Sequence, residues 1–107
     1  MKTAVNKRIK QNISLFGKKL TQKGIPINKL VLFGSYAKKR ANRFSDIDVA
    51  VISSKFGRDE MKEMQMLAKE AYPIDDKIEA FPIPLKDYLN DATPFIYEIK
   101  KYGINLK

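Results

Sequence analysis

The stretch LVLFGSYAKKRANRFSDIDVAVIS, residues 30–53, constrains this chain more than any other. Leu30 to Phe33 form a short, unbroken apolar run after the breakers Gly24 and Pro26, the pattern of a buried strand. Gly34 ends that run. From Asp46 to Ile52 polar and apolar residues alternate and then give way to a fully apolar run, which reads as a second strand. Two neighbouring strands therefore carry, at their ends, a Gly-Ser pair and two carboxylates two residues apart.

On a strand, residues two apart point to one face and lie about 6.6 Å apart, at about 3.3 Å per residue. Asp46 and Asp48 thus project together, and two carboxylates on one face repel unless a cation joins them. Their side chains can converge on ions about 3.5–4 Å apart, the spacing of two-metal phosphoryl-transfer sites. A third carboxylate on an adjacent strand completes such a site. Glu79, central in a third strand, is the first candidate and Asp76 the second.

The chain has no His and no Cys. That removes the usual general base, zinc ligands and every Ser-His or Cys-His nucleophile pair. A metal held here must be a hard, oxygen-preferring ion, magnesium first and manganese as an alternative. Gly34 lets a phosphate oxygen approach the backbone. Ser35 adds a hydroxyl and an amide at the start of a short helix expected over residues 36–39, where the dipole favours anions. Gly34 and Ser35, with Ser45 and Lys38 as further contacts, are the candidate nucleotide-binding residues. Asp46, Asp48 and Glu79 are the candidate metal ligands and catalytic carboxylates, and the expected substrate carries a triphosphate tail, as a nucleoside triphosphate does.

With 107 residues, 44% apolar and 31% charged, the chain is expected to form one domain over residues 1–107. No apolar run approaches the ~20 residues of a membrane span, and the charged N-terminus leaves no room for a signal-peptide core. A cytoplasmic location is expected. Charge is uneven: residues 1–43 hold twelve Lys or Arg and no acid, whereas the remainder holds nine bases and twelve acids. A basic half concentrates polyanions or acidic partners. Aromatic residues are not interleaved with those bases, so a nucleic-acid-binding module is the weakest reading.

The remaining periodicities give an α/β (α+β) domain with a small mixed sheet flanked by helices, in the order α-β-α-β-α-β-α. Val5, Ile9, Ile13, Phe16 and Leu20 mark a first amphipathic helix. Met61, Met64, Ala68 and Ala71 share a face of a second long helix, whose methionines are expected to fill core. Residues 77–81 alternate as a third strand ended by Pro82 and Pro84. A last helix starts near Pro94, with Phe95, Ile99 and Tyr102 on one stripe, and Gly103-Ile104 resembles a Schellman stop.

Across Gly34, Ser35, Ala37, Ser45, Asp46, Ile47 and Asp48 the chain resembles the polymerase-beta-like nucleotidyltransferase superfamily. More narrowly it is similar to the minimal nucleotidyltransferases, with their Gly-Ser-x-Ala start and Ser-Asp-Ile-Asp core. Many relatives have glycine where this chain has Lys39. The resemblance implies a polymerase-beta-like fold and a partner, a HEPN-type toxin, to one of whose tyrosines the enzyme, as antitoxin, transfers AMP from ATP. So small a chain leaves no room for a domain to hold the acceptor, which makes a partner chain the first expectation and a homodimer the second. The competing reading is an antitoxin that neutralises by binding alone, with a vestigial nucleotide site.

Overall fold

Both apolar runs are strands: β1 (Lys29–Phe33) and β2 (Ile47–Ser53) pair antiparallel, with Leu30 opposite Val51 and Phe33 opposite Asp48. The structure is a computed structural model that describes residues 7–42 and 44–107, so Val5 and Arg43 lie outside the described residues. α1 (Lys7–Gln22) precedes β1, and α2 (Glu60–Ala71) carries the chain from β2 to β3 (Ile78–Pro84). β3 pairs parallel with β2, and that pairing needs such a crossover. After β3 come α3 (Leu85–Leu89), α4 (Pro94–Tyr102) and β4 (Ile104–Asn105), which pairs antiparallel with β1. The sheet is mixed, in the order β3-β2-β1-β4.

Alternation along the strands divides the core in two. Ile47, Val49 and Val51 face one side with Leu30 and Leu32, where Ile9, Ile13, Phe16 and Leu20 of α1 and Leu67 and Ala71 of α2 cover them. Of the expected α1 stripe, Ile9, Ile13, Phe16 and Leu20 are buried. Ala50, Ile52, Val31 and Ile83 face the other side, under Tyr88 of α3 and Ile96 and Ile99 of α4. Because both faces of β2 are covered, it reads as an apolar run after Asp48 rather than as an alternation. Among the described residues no helix is long and apolar enough to cross a membrane.

Several local expectations are corrected. Residues 34–39 form turns instead of a helix, bounded by left-handed backbone at Gly34 (φ 72°) and Lys39 (φ 59°). β3 runs through Pro82 and Pro84 to its end. It is an edge strand, with β2 on one side only, so its outer edge has no ladder for proline to interrupt. Gly103 is extended (φ −73°, ψ 158°), so it is no Schellman residue. A β-carbon there would run into the Ile99 carbonyl and Val31, and glycine is what lets the chain turn from α4 into β4. Of the expected α2 face only Ala71 is core: Met61 is 70% exposed and Met64 41%. The helix also buries Leu67 and Glu70.

Candidate functional site

The Gly-Ser pair and the carboxylates meet at one end of the sheet. Asp48 lies in β2 with Phe33 of β1 opposite it on one side and Glu79 of β3 on the other. Its parity places it with Ala50 and Ile52 on the face that α3 and α4 cover, and Glu79 shares that face with Ile83. Asp46, two residues earlier, precedes the strand and is exposed, as is Glu79, whereas Asp48 is half-buried. Gly34 closes on Asp48 so tightly that a β-carbon would collide with its carboxylate. The positive φ of Gly34 adds a second reason for glycine there.

Electrostatics ties the three carboxylates together. Burial, then the negative charge of Glu79, then that of Asp46, push the Asp48 carboxyl up to about 6. All three effects favour the protonated, uncharged form. Among the described residues, no three ligating side chains already enclose a metal-sized space. Magnesium seldom requires that, since it usually takes one or two carboxylates and completes its shell with water and substrate phosphates.

The remaining candidates are placed less centrally. Ser35 sits in the turn after β1, where Lys38 N–H donates to the Gly34 carbonyl at 3.1 Å and Arg40 N–H to the Ser35 carbonyl at 2.8 Å. Without a helix there is no helix dipole at Ser35, and any anion contact falls to the turn's own amides and hydroxyl. The Ser45 hydroxyl accepts from Asn42 N–H at 2.9 Å and so shapes the loop leading into Asp46. Lys38 is drawn to α4: its ammonium lies 3.4 Å from the Glu98 carboxylate and 5.5 Å from the centre of the Tyr102 ring. Asp76 lies before β3 and has no place in the β2–β3 register.

Sequence reasoning missed an aromatic group beside the carboxylates. Phe33, Phe81 and Phe95 pack in edge-on and tilted pairs, with ring centres 5.3, 5.4 and 5.9 Å apart. Phe33 faces Asp48 across the ladder, and Phe81 follows Glu79 by two residues on the same face. Of the three only Phe95 carried a signal, as part of the α4 stripe with Ile99 and Tyr102, whereas Phe33 and Phe81 read simply as strand residues.

This arrangement has relatives. A protein of Methanocaldococcus jannaschii whose name assigns it to the protein adenylyltransferases is 30% identical over 80 residues, covering 75% of this chain and 79% of its own. A crystal structure named for a nucleotidyltransferase of Sulfolobus solfataricus superposes with a TM-score of 0.67 at 15% identity, over 98% of this chain and 86% of that one. At that identity the likeness is one of fold. A toxin-antitoxin structure with AMP-PNP superposes with a TM-score of 0.62 at 25% identity, over 92% of this chain and 72% of its own. The family model described as polymerase beta, nucleotidyltransferase matches residues 9–107, and this chain accordingly belongs to that family, with its polymerase-beta-like fold.

Proposed function

We propose that the chain is a magnesium-dependent adenylyltransferase that moves AMP from ATP onto a hydroxyl of a protein partner. The observation that carries this reading is the meeting of Asp48 and Glu79 on neighbouring strands with Gly34 in the turn that ends β1. Asp46 and Asp48 are the residues that would hold magnesium or manganese, with Glu79 as the third carboxylate. The donor set fits: it is all oxygen, and its mutual repulsion is relieved by a divalent cation. When bound, the ion neutralises charge on the phosphates.

In this reading the chain's own residues align and hold. The Gly34-Ser35 turn grips the β and γ phosphates, and Ser45 fixes the loop that presents Asp46. The acceptor oxygen bonds to the α phosphorus as the bond to the bridging oxygen breaks and pyrophosphate leaves. Glu79 takes the hydroxyl proton. Alignment and charge neutralisation supply most of the acceleration.

Support for a protein acceptor comes from the adenylyltransferase name of one relative and from the toxin-antitoxin neighbour that holds AMP-PNP. We take the acceptor to be a tyrosine of a HEPN-type toxin, this chain acting as antitoxin, with a second copy of the chain as the next candidate. The competing reading is neutralisation by binding alone. Intact-mass measurement after incubation with ATP, magnesium and the candidate toxin separates the two. An AMP-sized increment on the toxin, lost in Asp46→Asn and Asp48→Asn, is expected. A toxin silenced equally by the parent and both variants, with no increment, would sink the enzymatic reading.

A further inference from the structure

Between α4 and the turn after β1 lies a cleft of about 210 Å³ that the phosphate grip and the carboxylates leave unused. Its walls are Phe33, Gly34 and Lys38 on one side and Phe95, Glu98 and Tyr102 on the other. Phe95 is 43% exposed and Tyr102 50%, high values for aromatic side chains that border a cavity. They stand seven residues, two helical turns, apart on one side of α4, with Glu98 between them. Gly34 belongs both to this cleft and to the close approach to Asp48, so the cleft opens directly beside the carboxylates.

We infer that this cleft holds the nucleobase of the donor nucleotide, stacked on Phe95 and Tyr102, with the Glu98 carboxylate accepting from a base amino group. The inference rests on the proposed function. Its size suits one planar ring system rather than a drug-sized ligand, for which pockets start near 300 Å³. Base stacking on aromatic side chains tolerates any base, and a carboxylate at the rim adds an acceptor-only contact. Lys38 now lies over Tyr102 and beside Glu98 in an exposed ion pair, a weak contact that a base displaces at small cost. Displacement frees its ammonium for the phosphates held four residues away at Gly34. The larger groove, about 770 Å³ and bordered by Lys10, Lys18 and Lys107, adjoins Ile13 and Leu30 on the other face of the sheet and cannot serve the same nucleotide.

Calorimetric titration with magnesium plus either ATP or inorganic tripolyphosphate tests the inference on the parent chain, Phe95→Ala and Tyr102→Ala. The parent should bind ATP more tightly than tripolyphosphate. Each variant should lose about tenfold in ATP affinity, the size of one base-aromatic stack, while keeping its affinity for tripolyphosphate. Phe95 also packs on Phe33 and Phe81, so the Tyr102 variant keeps the test valid if Phe95→Ala misfolds. Variants that bind ATP like the parent, or lose both ligands equally, overturn the cleft assignment and leave the phosphate grip standing. A parent that binds neither ligand overturns the proposed function as well.

Discussion

Lys39 adopts φ 59° in the turn after β1, the conformation that an L side chain with a β-carbon tolerates poorly. Glycine is thus the residue this backbone asks for, and the lysine holds the turn's geometry at an energetic cost. Lys39→Gly is expected to stabilise the fold by about 1 kcal/mol, seen as a higher urea midpoint with an unchanged slope. At Asp48 the sign of the pH dependence follows from a folded carboxyl raised from 3.8 to about 6. Between those values the folded chain binds more protons than the unfolded one, so without metal this residue lowers stability as pH rises through the window. Asp48→Asn should therefore raise the melting temperature of the metal-free protein above pH 6 while abolishing transfer. Gly34, Asp46 and Asp48 were legible in the sequence because backbone freedom and paired charge are local properties. The position of Lys38 was not, since its partner Glu98 lies sixty residues away.

At the scale of elements, α1, β1, β2, α2 and α4 were legible from period and breakers. What escaped was set by neighbours. Whether proline may sit in β3 depends on that strand being an edge, and the buried side of α2 depends on where α1 lies. Spacing alone chose the methionine face, of which Ala71 reaches the core, whereas Leu67 makes the larger contact. The two-residue β4 is too short to carry a periodic signal and exists through its pairing with β1 and the bond from Leu106 N–H to the Leu30 carbonyl, 2.8 Å. Gly103→Ala tests that junction. A methyl group there meets backbone as well as Val31, which cannot swing away, so a loss of about 1–3 kcal/mol in chemical denaturation is expected.

Across the whole molecule, the helices on one face are joined by a charge cluster that the sequence did not announce. Glu70 of α2 is only 6% exposed and takes Lys19 of α1 at 3.4 Å and Lys23 at 3.3 Å. Burial works against its charge, but hydrogen bonds to and charges of Lys23 and Lys19 outweigh it and hold the carboxyl below its usual value of 4.5. A depressed carboxyl stabilises the fold above that value and loses its contribution as pH falls through the folded one. Glu70→Gln should lower the melting temperature at pH 7 and flatten its decline below about pH 4.5, in a scan from pH 7 to 3.

β2 is the one strand that bears a proposed catalytic carboxylate and is also paired along its length on both sides, antiparallel to β1 and parallel to β3. In a small domain such a strand is the last to open, and its amides exchange with solvent only when the whole molecule unfolds. Deuterium uptake at Val49–Ile52 should thus report global stability, while α4 and β4, each anchored to one flank, exchange through smaller openings. The carboxylate at Asp48 would then keep its position through every partial fluctuation of the chain, while the helix over it lifts and resettles.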